Sequence, residues 1–399
     1  MLDLQFNTED APILRLLDSI IVQGVKENAS DIHLEPGPET GRIRYRIDGV
    51  LQQMQKIPAV RHKALVSCVK LMAGMDIAEK RLPQDGRSQV TVEGRLIDLR
   101  VSSLPTIAGE TLVIRILDGE TQKLRLSELH FTPENLALYR SMYRSSYGLI
   151  LLTGPTGSGK TTALYATLME LNSPERNIIT IEEPVEYCID GLHQVPVNIR
   201  TGLTFAKGLR SILRQDPNII MVGEIRDRET AEISIQAALT GHLVFSTLHT
   251  NTAAGAITRL LDMGVEPYLL ASALRGVVSQ RLVRTLCPHC KQSYVADHSA
   301  WECGYLALSG TEKKTLYCEK GCPVCHGTGF KGRIAVQEVF PIGEKVKEKI
   351  MKGAMETELL QTVQHSFPTF RTLQEDGRRK ALEGNTSPGE LLRVMGAAS

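Results

Sequence analysis

Residues 148–162 read GLILLTGPTGSGKTT: a short apolar run, a glycine-rich turn, then a lysine and two threonines. Gly154-Pro155-Thr156-Gly157-Ser158-Gly159-Lys160-Thr161 satisfies the pattern G-x-x-x-x-G-K-[ST] at every fixed position. Glycines let the backbone close around a phosphate chain with several N–H groups aimed inward, and the helix that follows adds its positive end. In that reading Lys160 reaches the β- and γ-phosphates of ATP and the Thr161 hydroxyl reaches Mg²⁺. Thr162 completes the candidate ATP-binding set that begins at Gly154. The flanks are those the motif requires, with an apolar strand at 149–152 and a helix-prone run at 162–171.

Outward from this point, apolar strand-like runs at 148–153, 177–181, 219–222 and 242–247 alternate with helical stretches. That alternation predicts an α/β fold with a parallel sheet and helices on its faces. Residues 1–117 read differently. An amphipathic helix carries Ile13, Leu16, Leu17, Ile20 and Ile21 at helical spacing, with Asp10 as its cap. Arg42-Ile43-Arg44-Tyr45-Arg46-Ile47 alternates as a half-buried strand before the hairpin turn Asp48-Gly49. A helix over 60–75 and strands near 89–92, 96–101 and 111–117 complete an α+β domain, with Glu93-Gly94 as a second turn. The expected organisation is then a linker at 118–130, the P-loop core at 131–286, a cysteine-rich module at 287–332 and a helical region at 333–399.

The 399 residues are 42% hydrophobic and 23% charged, which excludes disordered and fibrous classes. Lys and Arg number 46 against 45 Asp and Glu, a net charge of +1, and aromatics are 5% with one Trp. That gives little with which to track a nucleic-acid strand, so no nucleic-acid partner is expected. No apolar run exceeds four residues, where a membrane helix needs about 20, so no transmembrane segment is expected. The acidic start, with Asp3, Glu9 and Asp10, does not read as a signal peptide, which places the chain in the cytoplasm.

Two acidic sites follow apolar strands. Glu224 ends Ile219-Ile220-Met221-Val222-Gly223 and suits the Mg²⁺ side of the P-loop. Glu182, Glu183 and Glu186 bring three carboxylates into five residues, a costly grouping unless a cation or an attacking water uses them. His242 and His249 bracket a third strand. Six of the eight cysteines fall between 287 and 325, and Cys287-Pro-His-Cys290 and Cys322-Pro-Val-Cys325 form two C-x-x-C knuckles separated by 31 residues. Each knuckle offers two thiolates at the spacing of a closed, structural Zn²⁺ site. Cys303 and Cys318 lack partners at that spacing. Arg87, Arg100 and Arg115 lie in the first domain's strands, and Arg210 and Arg214 precede Glu224; a P-loop ATPase that works as a ring needs arginines at the γ-phosphate.

Together these stretches resemble the secretion ATPase superfamily of type II secretion and type IV pilus systems. Ala29-Ser30-Asp31-Ile32-His33-Leu34-Glu35-Pro36, Arg46-Ile47-Asp48-Gly49 and Leu82-Pro83-Gln84-Asp85-Gly86-Arg87 resemble its N-terminal signatures. Residues 180–186 resemble its aspartate box, 209–227 the region of its Walker B motif, and 240–250 its histidine box. The resemblance implies a RecA-like ATPase core behind a PAS-like N-terminal domain. It further implies a homo-hexamer, peripheral at the cytoplasmic face of the inner membrane, that works on a membrane platform protein. His242 and His249 become candidates for nucleotide sensing and subunit linkage, and the paired knuckles match the zinc module of assembly-type rather than retraction-type enzymes. Glu183 stands where the box carries its aspartate, so the acid of 182–186 that orients water stays open, with Glu186 favoured by position. Many relatives carry a further N-terminal docking domain, whereas these signatures begin within 30 residues of Met1, which fits either a truncated or a short form. Pilus retraction, competence and conjugation motors are the neighbouring alternatives, and a nucleic-acid translocase is the alternative of another class.

Overall fold

In the computed structural model, residues 11–119, 125–297, 299–308 and 314–396 are described. The chain divides between Gln122 and Lys123 into two compact units, each with its own core. Asp10 and residues 120–124 of the expected linker lie outside the described residues.

The first unit runs α1 (Ala11–Lys26), β1 (Ala29–Glu35), β2 (Thr40–Ile47), β3 (Val50–Pro58), α2 (Ala59–Met72), β4 (Gln84–Val92), β5 (Arg95–Thr106) and β6 (Gly109–Leu117). Its strands form an antiparallel sheet in the order β3-β2-β1-β6-β5-β4. Alternation decides what each face carries. Leu34, Ile43, Tyr45, Ile97, Leu99, Leu112 and Ile114 turn inward onto Leu17, Ile21 and Val69 of the helices. The opposite face holds the polar alternates. Asp48-Gly49 and Glu93-Gly94 make tight turns with positive φ at both residues, pairing Ile47 with Val50 and Val92 with Arg95.

The second unit runs α3 (Pro133–Tyr143), β7 (Gly148–Thr153), α4 (Lys160–Leu171), β8 (Ile178–Glu182), β9 (His193–Pro196), α5 (Phe205–Ile212), β10 (Ile219–Val222), α6 (Arg228–Leu239), β11 (Leu243–Leu248), α7 (Ala253–Asp262), α8 (Pro267–Ala273) and β12 (Leu274–Leu286). Next come β13 (Gln292–Ala296), α9 (Trp301–Tyr305), β14 (Lys314–Cys318) and β15 (Phe330–Pro341). The chain ends in α10 (Glu344–Met351), α11 (Glu356–Ser366), α12 (Leu373–Leu382) and α13 (Pro388–Met395). The large sheet has the order β15-β12-β7-β11-β10-β8-β9, parallel throughout except where β15 returns antiparallel along β12. Every residue of β7, β8, β10 and β11 is buried, because helices cover both faces. That is why these strands read as unbroken apolar runs.

One expectation is corrected here. Residues 333–341, assigned to a helical region, complete β15, and helix begins at Glu344. β15 is accepted into the sheet because it pairs with β12 along almost its whole length, which buries Ile334, Ala335, Val336, Val339 and Phe340. The second knuckle therefore leads straight back into the P-loop sheet, while β13, α9 and β14 lie among the described residues between the knuckles.

Candidate functional site

Because β7, β8, β10 and β11 run parallel, their C-terminal ends meet at one edge of the sheet, where open α/β sheets bind ligands. A cavity of about 400 Å³ opens there. The loop and helix after β7 line it with Thr156, Gly157, Ser158, Gly159, Lys160, Thr161 and Thr162. Glu182 lines it from the end of β8, Glu183 and Glu186 from just beyond, Glu224 from beyond β10, and Thr247 and His249 from the end of β11.

The loop is built for close backbone approach. At Gly154 (φ +148°) a Cβ would lie 2.5 Å from the Gln280 carbonyl oxygen and 2.6 Å from Ser158 Oγ, so only glycine fits. Gly159 (φ +83°) starts α4 abruptly at Lys160, leaving the unsatisfied N–H groups of the first turn beside the cavity. The Ser158 hydroxyl is buried and has no hydrogen-bond partner among the described residues. A ring of donors with an unused hydroxyl fits a phosphate chain.

Lys160 is 8% exposed, and its Nζ donates to the carbonyl oxygens of Gly154 (2.7 Å) and Pro155 (3.0 Å). Burial pushes its pKa down to about 8, a shift that Glu224 opposes and Arg281 reinforces. Glu224 accepts from Arg226 at 2.6 Å, and its other oxygen lies 3.6 Å from His249 Nε2. Arg226 also reaches Glu183 at 3.1 Å, so one guanidinium holds two carboxylates side by side. Burial and then the Lys160 ammonium keep His249 below its usual pKa, so its ring is neutral at pH 7.

Glu182 differs from its neighbours. It is 3% exposed and accepts from the hydroxyls of Tyr165 and Thr180 and from Gln194 Nε2. Its oxygens are committed to the fold, whereas Glu183, Glu186 and Glu224 are the other carboxylates that line the cavity.

The structure separates the two histidines. His249 joins the cavity, but His242 precedes β11 at the opposite edge of the sheet, where its Nδ1 lies 3.0 Å from the Ala237 carbonyl. Six residues of strand stand between them, about 20 Å at 3.3 Å per residue. His242 therefore does not line this cavity, in contrast to the expectation that both histidines meet the nucleotide. Arg210 and Arg214 do not line the cavity either: Arg210 pairs with Glu229 at 2.7 Å and Arg214 donates to the Arg210 carbonyl. Phe205, Leu282 and Arg333 do line it, and sequence reasoning missed them. The apolar run Ile334-Ala335-Val336, with two β-branched residues and read as strand, would have brought Arg333 to this edge.

In the first unit, strand register sets Arg87 opposite Arg100, Arg100 opposite Arg115, Arg115 opposite Asp31 and Asp31 opposite Arg46. One row across five strands thus carries four arginines on the face turned from the core. Asp31 supplies its counter-charge, accepting from Arg115 Nε at 3.0 Å with Arg46 at 3.6 Å.

The sulfurs of Cys287, Cys290, Cys322 and Cys325 all lie within 4.8 Å of one another. Three of the separations are 3.9 Å (Cys287–Cys322), 3.7 Å (Cys290–Cys325) and 3.6 Å (Cys322–Cys325). A tetrahedron with Zn–S bonds of about 2.3 Å has an edge of about 3.8 Å, so the four sulfurs fit Zn²⁺. Burial works against a thiolate at Cys325, yet the N–H groups of Cys322 and Gly329, each at 3.2 Å, and the neighbouring thiols bring its pKa below the usual thiol range. Cys303 and Cys318 stand outside the cluster.

Known proteins share this architecture. The chain is 49% identical to the type II secretion system protein E of Pseudomonas aeruginosa over 98% of its own length and 77% of the relative's. It is 48% identical to the type II secretion system ATPase E of Vibrio cholerae, again over 98% and 77%. Among solved structures, the Legionella pneumophila ATPase DotB shares the fold at a TM-score of 0.69 and 21% identity, covering 94% of each chain. The pilus retraction motor PilT with bound ADP superposes at a TM-score of 0.61 and 25% identity, over 94% of this chain and 95% of that one. With a family model matched from residue 7 to residue 393, this chain belongs to the type II/IV secretion system proteins.

Proposed function

We propose that this chain is the ATP-hydrolysing motor of a type II secretion system, coupling ATP turnover to assembly of pseudopilus or pilus subunits. One observation carries the reading: a complete P-loop, a buried lysine, a set of carboxylates and a neutral histidine line one cavity at the carboxyl edge of a parallel sheet. The identity of 48–49% to secretion proteins, against 25% to a retraction motor, favours assembly, as does the four-cysteine cluster.

In this reading the loop N–H groups and Lys160 bind the phosphates, and Glu186 orients the attacking water. Thr161 and Glu224 would hold Mg²⁺, which when bound neutralises charge between the β- and γ-phosphates. Cys287, Cys290, Cys322 and Cys325 would hold a structural Zn²⁺. Arg100 and Arg115, with Arg87 beside them, supply positive charge to the γ-phosphate of a nucleotide in a homo-hexamer. The motor works as a peripheral protein at the cytoplasmic face of the inner membrane, against a platform protein. Among the described residues no helix is long and apolar enough to cross a membrane.

The test is phosphate release by the purified chain with Mg²⁺ and ATP, beside restoration of secretion in a strain lacking its own motor. Turnover that disappears in Lys160→Ala together with secretion supports the reading. Wild-type protein that neither binds nor hydrolyses ATP refutes it.

A further inference from the structure

Gln280 is 2% exposed in the middle of β12, the strand that flanks the P-loop strand. Its Nε2 donates to the Ser158 carbonyl at 2.8 Å, and its Oε1 accepts from Gln337 Nε2 at 3.1 Å across the β12–β15 ladder. The direction of this chain is forced. A carbonyl oxygen only accepts, so Gln280 presents its amide nitrogen to the loop and its oxygen to Gln337. Gln337 is itself pinned: its backbone N–H donates to Asp376 Oδ2 at 2.8 Å, its carbonyl accepts from Asn135 at 3.1 Å, and Asp376 is paired with Lys380 at 2.6 Å.

The loop end of the chain is where chemistry enters. The Ser158–Gly159 peptide is trans, so its N–H points opposite to its carbonyl. Fixing the Ser158 carbonyl on Gln280 therefore fixes the Gly159 N–H in the opposite direction, within a loop whose Ser158, Gly159 and Lys160 line the cavity. Contact is close: a Cβ on Gly159 would sit 2.8 Å from Gln280 Nε2. We propose that Gln280 is a positioning residue for phosphate binding, orienting one cradle N–H and passing its own orientation from Gln337 and α12. It touches no substrate; it acts through the Ser158–Gly159 peptide. The inference rests on the reading of this cavity as the ATP site.

The test compares wild type with Gln280→Glu and Gln280→Leu, using a fluorescent ADP analogue and thermal unfolding. A carboxylate facing the Ser158 carbonyl repels it, whereas the protonated acid donates as the amide does. Charged groups on the surrounding elements are Arg281 on β12, Lys160 on α4, Glu338 on β15 and the Asp376–Lys380 pair on α12. Comparing the variant with wild type at each pH cancels their common titration. Gln280→Glu should bind ADP about tenfold more weakly at about pH 8.5 and regain most of the loss at about pH 6.5. Gln280→Leu should lose about fivefold at both. Wild-type affinity in Gln280→Glu at the higher pH, or a deficit equal at both, overturns the proposal. If neither Gln280 variant folds, Gln337→Met carries the test: weakened ADP binding with an intact unfolding transition supports the chain, and unchanged binding overturns it. Lys160→Ala distinguishes the two readings. If it loses ADP while Gln280→Glu does not, the ATP site stands and the role of Gln280 falls.

Discussion

The Lys160 ammonium donates to the carbonyl oxygen of Gly154, six residues earlier in its own loop, at 2.7 Å. The loop thus carries its cation folded against its own backbone, with burial holding the pKa at about 8. Phosphate oxygens offer a stronger acceptor and raise that pKa again. Binding of ADP should therefore take up a proton when the pH is near or above 8, and affinity should fall as pH rises further. Calorimetry in two buffers of different ionisation enthalpy measures the uptake, and its absence at that pH contradicts the assignment. Lys160→Ala should lower turnover at least about 100-fold with an unchanged circular dichroism spectrum.

Three carboxylates near one cavity predict three different phenotypes. Glu186→Gln should bind ATP and fail to hydrolyse it. Glu224→Gln should weaken the Mg²⁺ dependence of binding. Glu182→Gln should chiefly lower the thermal midpoint, because its oxygens accept from Tyr165, Thr180 and Gln194 inside the core. Normal hydrolysis by Glu186→Gln removes it from the mechanism.

The histidines predict a sharper contrast. His249→Ala should slow hydrolysis about tenfold or more, since the ring lies 3.6 Å from Glu224. His242→Ala should leave hydrolysis within a few-fold of wild type in an assembled ring. Equal losses would mean that the distance along β11 does not separate their roles.

Metal analysis should find one Zn²⁺ per chain. Its removal should loosen more than the knuckles. The Cys287 N–H donates to Gly329, the Leu286 N–H to Asn385 between α12 and α13, and Arg284 pairs with Glu390 of α13 at 2.8 Å. Structural Zn²⁺ contributes on the order of 10 kcal/mol in small peptides, enough to govern such contacts. Hydrogen exchange after chelation should rise first over 287–330 and next over 384–395; unchanged exchange refutes a structural metal.

Much of this was legible in the chain for physical reasons. Strands buried on both faces show as apolar runs, and Gly154 and Gly159 occupy backbone positions that other residues cannot. β12 was not legible, and β15 showed only in Ile334-Ala335-Val336, because Ser279, Gln280, Arg281 and Gln337 are buried by hydrogen-bonding partners far away in sequence. β1 was hidden in the same way, since Asp31 is paired with Arg115, 84 residues on. The histidines at 242 and 249 look like one motif in sequence, yet an extended strand puts its two ends at opposite edges of a sheet.

The last prediction concerns the arginine row. Arg87, Arg100, Arg115 and Arg46 stand in register with a single carboxylate, Asp31, among them. Arg87, Arg100 and Arg115 stand directly opposite one another on adjacent strands, which concentrates positive charge on one face of the sheet. An anionic ligand would relieve it, and the γ-phosphate of ATP has the right charge. An arginine finger contributes about 10³–10⁵ in rate while adding little to ground-state binding. Arg100→Ala and Arg115→Ala should therefore bind ATP within a few-fold of wild type and lose most turnover, and Arg115→Ala should also lower the thermal midpoint by leaving Asp31 without its 3.0 Å partner. Arg115→Lys should recover little, because an ammonium lacks the planar fork that meets two phosphate oxygens. If the row serves the nucleotide of a neighbouring subunit, turnover per chain should also rise with protein concentration as rings form. Full turnover in both alanine variants at every concentration would show that the row serves some other anion, and the finger assignment would fall.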